Sequence, residues 1–265
     1  MAAAILPVHG ADFWVVTGGA GAPIVLVHGF GSDHHTWDGV WDGICRDRYG
    51  IRYDRRGFGA SREQDAGTFS NAADLGGILD QLEIGACDLL GVSEGGAVAI
   101  NFTLRCPDRV NRLVLESPAL MGWEWSPAWR ARWSAIVDAA KRGDLAQARD
   151  LWWNHPLFET TRQHDQAGPK LWQSIQAYAG RQWIEPDRHE LIAIPDMEQL
   201  QNVAVPTLLL SGNRDVEEFR LVADIIAAMV PKVRRIDYEA AGHMLHLECP
   251  ERFLRDVLTF LETES

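Results

Sequence analysis

The sequence predicts an α/β protein: a mostly parallel central sheet flanked by helices, with a helical cap inserted between two of its strands. Three observations carry this expectation. Short β-branched apolar runs, bounded by glycine or proline, alternate with segments of helical periodicity, and such alternation implies crossover connections and parallel pairing. The chain has 265 residues, 46% hydrophobic and 23% charged, which is enough apolar material for one large core. That alternation stops between residues 119 and 200, where short β-branched runs vanish and helical, Trp-rich segments replace them. Residues 1–118 and 201–265 are therefore expected to form the core domain and 119–200 the cap.

Residues 6–9 and 13–17 read as a hairpin turned by Gly10-Ala11-Asp12. Residues 24–27 form a continuous apolar run between Pro23 and His28-Gly29-Phe30-Gly31, the mark of a strand buried on both faces. A short strand over 51–53 runs into the loop Asp54-Arg55-Arg56-Gly57-Phe58-Gly59-Ala60-Ser61. Ser70 is a plausible N-cap for a helix whose Ala72, Leu75, Ile78, Leu79 and Leu82 share one face. Strands follow at 87–90, 112–115, 206–210 and 233–238, with helices at 97–105, 216–229 and 250–261. Pro250 sits in the first turn of the last helix, where its missing N–H costs nothing.

Charge and cysteine usage narrow the function classes. With 25 basic and 37 acidic residues the net charge is −12, a field that repels nucleic-acid and anionic membrane partners. Four widely spaced cysteines form no CxxC pair, the pattern of reduced thiols in a cytoplasmic protein. No signal peptide or membrane-length apolar run is read, and no cofactor is expected. Asp33-His34-His35 lacks metallo-hydrolase spacing, so no metal is expected either.

Gly91-Val92-Ser93-Glu94-Gly95 matches G-x-S-x-G between a buried strand and a helix. Such a turn is tight, and Gly91, Gly95 and Gly96 supply the small neighbours it needs. It strains Ser93 and aims the hydroxyl out of the sheet as a nucleophile. The Glu94 N–H lies at the helix start, where orphan donors and the helix dipole favour an oxyanion. The second oxyanion donor is expected from the loop after the first buried parallel strand, at the Phe30 N–H. The general base is His243, after the last strand, with His246 as rival. The orienting acid is Asp215, after the strand at 206–210, with Glu116 as the alternative. Following strands in this way, all three are expected at the carboxyl edge of the sheet, in the chain order Ser…Asp…His.

These stretches, together with Cys106-Pro107-Asp108-Arg109-Val110 and Gly242-His243, resemble the α/β-hydrolase superfamily over nearly the whole chain. By resemblance, Ser93, Asp215 and His243 form the triad, Phe30 and Glu94 the oxyanion hole, and the Trp-rich block the lid. Gly212-Asn213-Arg214-Asp215-Val216-Glu217-Glu218-Phe219 looks like the small bacterial esterase and lactonase branch, which includes enol-lactone hydrolases and metal-independent acyl-homoserine lactonases. Glu94 departs from relatives with an apolar residue or glutamine after the serine. The expected substrate is a small ester or lactone, with carbon–carbon bond hydrolysis, perhydrolysis or a non-catalytic binding protein as alternatives. Of the eleven tryptophans, eight lie between Trp123 and Trp183. All eight, Trp129, Trp152, Trp172 and Trp183 included, could line an apolar acyl pocket, with about two or three expected to touch ligand; Trp123, Trp125, Trp133 and Trp153, with Trp37 and Met244, are the chosen candidates.

Overall fold

The computed structural model describes residues 1–65 and 67–262. Ala66 and residues 263–265, the end of the expected core segment, lie outside the described residues. The strands are β1 (Ala2–Val8), β2 (Ala11–Gly18), β3 (Pro23–Val27), β4 (Tyr49–Tyr53), β5 (Arg62–Glu63), β6 (Cys87–Val92), β7 (Val110–Glu116), β8 (Thr207–Gly212) and β9 (Val233–Tyr238). Around them lie α1 (Asp38–Cys45), α2 (Asn71–Gln81), α3 (Glu94–Arg105), α9 (Glu217–Met229), α10 (Leu245–Glu248) and α11 (Pro250–Glu262). Between β7 and β8 come α4 (Pro127–Lys141), α5 (Leu145–Trp153), α6 (Glu159–Arg162), α7 (Ala167–Ala177) and α8 (Arg181–Ile184).

The sheet order is β1-β2-β4-β3-β6-β7-β8-β9, with β5 against β2. Pairing is antiparallel from β1 through β2 to β4, and parallel from β4 to β9. Side-chain alternation splits the core between the two faces. Val25, Val27, Leu89 and Leu209 pack with α2, α3 and α9 on one side. Ile24, Leu26, Leu90 and Leu208 pack with α1 and α11 on the other. A third apolar cluster joins the inserted helices to Phe58, Phe219, Met244 and Leu247.

Two local differences from the sequence expectation have simple causes. The hairpin turns at His9-Gly10, not Gly10-Ala11-Asp12, because both residues adopt positive φ (43° and 73°), the two-residue turn that matches strand twist. β1 starts at Ala2, earlier than expected, because an exposed edge strand of alanines has no buried face to advertise it. The expected N-cap is present: Ser70 accepts the Ala73 N–H at 3.3 Å.

Candidate active site

β6 ends in the turn that carries Ser93. Ser93 has φ 54° and ψ −122°, a strained conformation for a residue with a Cβ. Its N–H donates to the Glu116 carbonyl at 2.9 Å, and its own carbonyl accepts from Gly96, Ala97 and Ala119. These bonds hold the turn against its strain. The glycines fit by necessity: a Cβ on Gly95 would stand 2.2 Å from the Val27 carbonyl oxygen, and one on Gly91 would stand 2.3 Å from that of Gly95.

The loop after β9 carries His243, whose side chain is 1% exposed. Its Nδ1 hydrogen-bonds Asp215 Oδ2 at 2.8 Å, and Asp215 Oδ1 accepts the Val216 N–H at 2.7 Å. His243 Nε2 is buried and has no hydrogen-bond partner among the described residues. His243 and Ser93 line the same cavity. The rival His246 is engaged at both nitrogens, Nδ1 with Glu116 Oε1 (2.7 Å) and Nε2 with Thr36 Oγ1 (2.8 Å). So the alternative base and the alternative acid of the sequence reading pair with each other, inside the core. An imidazole with both nitrogens committed has no lone pair left for a substrate proton.

Glu248 shapes the His243 loop from behind. Its carboxylate accepts the Gly242 N–H at 2.6 Å and the Thr161 hydroxyl of α6 at 2.6 Å. Close packing does the rest: a Cβ on Gly212 would lie 2.0 Å from the Gly242 carbonyl oxygen and 2.6 Å from that of Ala241. Gly212→Ala is therefore expected to destabilise the fold by about 3 kcal/mol, since backbone cannot yield as a side chain can. Gly85→Ala, with nothing within 4 Å of the added Cβ, serves as the matched control, expected to stay within about 0.5 kcal/mol. Equal urea midpoints for the two variants would contradict the tight strand–loop contact.

Phe30 and Glu94 flank Ser93. Gly29 comes so near that a Cβ there would lie 3.3 Å from Ser93 Cβ and 3.9 Å from Ser93 Oγ. Glu94 is the first residue of α3, so its N–H has no intrahelical acceptor. The Phe30 N–H likewise has no backbone acceptor among the described residues. His28 braces this loop. The Arg55 N–H donates to His28 Nε2 at 2.9 Å, so Nε2 is unprotonated and Nδ1 must donate to the Gly29 carbonyl at 2.8 Å.

Burial, and then the charge of Arg55, push the His28 imidazole down to about 3. Below about pH 6.5 the unfolded imidazole takes up a proton that the folded one refuses, so stability is lost as pH falls from there toward the folded value. His28 is expected to cost about 2 kcal/mol at pH 5 relative to pH 7. In His28→Asn that increment should vanish from the difference between urea unfolding free energies at the two pH values. An unchanged difference would rule His28 out as its source.

The cavity above Ser93 holds about 1140 Å³. Trp125, Trp129, Trp133, Trp152, Phe158, Phe219 and Met244 form apolar wall, while Lys170, Arg181, Glu185 and Arg188 belong to its polar reach. Phe30 is the hub, with its ring edge-to-face against Phe58, Trp133, Trp152 and Tyr178. Trp125 and Trp129 stack at 4.3 Å between ring centres.

Three of the expected pocket residues lie elsewhere. Trp37 is fully buried in the core beneath the sheet, against His246, because it follows the loop into the layer of α1. Trp123 packs on the opposite core with Leu120, before the chain has risen to the inserted helices. Trp153 sits edge-on to Trp172 at 5.1 Å, off the cavity wall, one residue round the helix from Trp152, which faces it. Trp129 and Trp152 join Trp125 and Trp133, so four of the eight tryptophans line the cavity. For Trp129 the signal was present in α4, where Trp129 and Trp133 stand at i and i+4 on one helix face. Asp33, His34 and His35 bring one ligand atom each within 4.8 Å. Internal bonds already use these groups, His34 Nδ1 with Asp54 Oδ1 at 2.7 Å and His35 Nδ1 with Asp33 Oδ1 at 3.1 Å.

Taken together, a serine on a strand–helix elbow, a carboxylate-held imidazole and a parallel sheet beneath them define a hydrolase of the α/β class. The chain belongs to the alpha/beta hydrolase family, which it matches over residues 24–256. It is 40% identical over 269 residues to the 2-hydroxy-6-oxo-2,4-heptadienoate hydrolase of Pseudomonas putida, covering 93% of this chain and 91% of that protein. It is 25% identical over 251 residues to 3-oxoadipate enol-lactonase 1 of Acinetobacter baylyi, covering 94% and 92%. Among solved structures it resembles the carboxylesterase CesB (YbfK) of Bacillus subtilis, with a TM-score of 0.84 at 21% identity, over 100% of this chain and 92% of that one. No helix among the described residues is long and apolar enough to cross a membrane.

Proposed function

We propose that the protein hydrolyses small carboxylic esters or lactones through an acyl-enzyme on Ser93. The observation that carries this is the unpartnered His243 Nε2, on an imidazole that Asp215 holds and that lines the same cavity as Ser93. His243 takes the Ser93 proton as Oγ attacks the carbonyl carbon, and Asp215 stabilises the imidazolium that forms. The Phe30 and Glu94 amides receive the oxyanion. The tetrahedral adduct collapses, and the alkoxide leaves with the proton from His243. Water, deprotonated by the same histidine, then attacks the acyl carbonyl and restores Ser93. With a lactone the leaving hydroxyl stays tethered to the acyl group.

The aromatic wall favours a compact apolar acyl group: flat rings bury area without many rotors to freeze. Turnover of p-nitrophenyl esters of increasing chain length should peak at short to medium acyl groups. An acyl-homoserine lactone and an enol-lactone run in parallel distinguish lactonase from esterase by relative kcat/KM. A fluorophosphonate should label the protein at Ser93, read by peptide mass. Labelling elsewhere, or best turnover of polar or very long acyl groups, would refute the assignment.

A carbon–carbon bond hydrolase is a second reading, favoured by the 40% identity to the Pseudomonas putida enzyme. Turnover of 2-hydroxy-6-oxo-2,4-heptadienoate at a higher kcat/KM than any ester would replace the ester assignment with this one.

A further inference from the structure

The geometry points to Arg55 as a positioning residue that holds both oxyanion donors, the Phe30 and Glu94 amides, in one frame. This deepens the acyl-enzyme proposal and rests on it. Arg55 is 1% exposed, and its guanidinium carbon lies 4.7 Å over the Phe58 ring. Its Nη2 donates to the Gly29 carbonyl at 3.2 Å and also to the Glu94 carboxylate. One nitrogen therefore bridges the loop after β3 and the first residue of α3.

The Gly29 carbonyl matters because it shares a planar peptide unit with the Phe30 N–H. Fixing the oxygen on one side fixes the hydrogen on the other. Glycine at position 29 is needed for the close approach to Ser93, but it leaves that peptide little steric resistance to rotation. A flipped peptide would present a carbonyl oxygen to the developing oxyanion. Two donors oppose the flip: Nδ1 of His28 at 2.8 Å and Nη2 of Arg55 at 3.2 Å. Each also withdraws charge from the carbonyl and makes the Phe30 N–H a better donor.

Glu94 gains a role from the same contact. Its side chain is 34% exposed and tethered to the buried guanidinium, while its N–H is the other donor. The acidic residue after the serine is then the counter-charge that keeps Arg55 in place. Arg55 Nε has no hydrogen-bond partner among the described residues, so the ion pair, the Gly29 carbonyl and the Phe58 ring are what hold this side chain in its buried position.

The test compares wild type with Arg55→Met, Arg55→Lys, Glu94→Gln and Ser93→Ala. The readouts are kcat and KM on a p-nitrophenyl ester, inhibition by phenylboronic acid, and the pH profile of kcat/KM. A boronic acid adds to a serine Oγ as a tetrahedral anion, so its affinity reports the oxyanion site. In Arg55→Met, kcat and boronate affinity are expected to fall together by about 10- to 100-fold, less than the full loss of a donor, with KM within about 3-fold. Glu94→Gln keeps an acceptor but loses the charge, and should lose about 3- to 10-fold in both. Arg55→Lys should lie between wild type and Arg55→Met. The acid limb of the pH profile should not move. A fall in kcat without a matching fall in boronate affinity, a shifted acid limb, or an unchanged Glu94→Gln would overturn the role of Arg55. Should Arg55→Met fail to fold, Glu94→Gln decides alone. Activity or boronate binding retained in Ser93→Ala would instead sink the acyl-enzyme proposal beneath it.

Discussion

Ser93→Ala is expected to lower kcat for ester hydrolysis by about 10⁶-fold, the scale on which nucleophile, base and acid act as one unit in serine hydrolases. The size follows from what is removed. Without the hydroxyl no acyl-enzyme forms, and water would have to enter a site shaped for a tethered nucleophile. Adding His243→Ala should cost almost nothing more, because a base with no nucleophile to activate contributes little. The measurement is kcat for the two single variants and the double, with pre-steady-state release of p-nitrophenol for wild type. A burst should appear wherever deacylation limits turnover. If Ser93→Ala stayed within about 100-fold of wild type and His243→Ala removed the remainder, His243 would be activating water directly and the acyl-enzyme would be wrong. KM should change little in Ser93→Ala, since the aromatic wall formed by Trp125, Trp129, Trp133 and Trp152 is untouched.

Much of the scaffold was legible because each signal was local. The G-x-S-x-G elbow reads from five residues, since its geometry admits only small neighbours, and the structure shows backbone carbonyls where side chains would be. Buried strands such as β3 read from an unbroken apolar run, and α2 from its cap and periodicity. What stayed hidden was non-local. The His246–Glu116 pair joins residues 130 apart, and no sequence window contains both. The Arg55–Glu94 contact joins the loop after β4 to the first residue of α3, 39 residues on, and no local signal links the two. Tryptophans were legible as a group, but their directions were not. Trp152 and Trp153 are neighbours in sequence, and the helix turns one to the cavity and the other away. Helix phase for such a pair is set by packing against α7 and the core, which composition does not encode.

Asp215→Asn is expected to cost about 10⁴-fold in kcat while leaving the fold intact, and the hydrogen bonds around the carboxylate explain why. Asp215 Oδ1 accepts the Val216 N–H at 2.7 Å, and Oδ2 faces His243 Nδ1 at 2.8 Å. In asparagine the oxygen must stay on the Val216 side, because an amide NH₂ turned there would meet another donor. The NH₂ then faces Nδ1, which is forced to accept, so the imidazole proton moves to Nε2. That nitrogen is the unpartnered one, on the imidazole that lines the cavity with Ser93. A protonated Nε2 cannot take the serine proton, so the side chain keeps its place and loses its function. Raising pH with hydroxide as an external base should recover part of the rate, because the barrier lies in the tautomer and not in the site's shape. Thermal melting should show the variant close to wild type. A loss of less than about 10-fold, with unchanged pH dependence, would mean that Asp215 only holds the Val216 N–H and that another group orients His243.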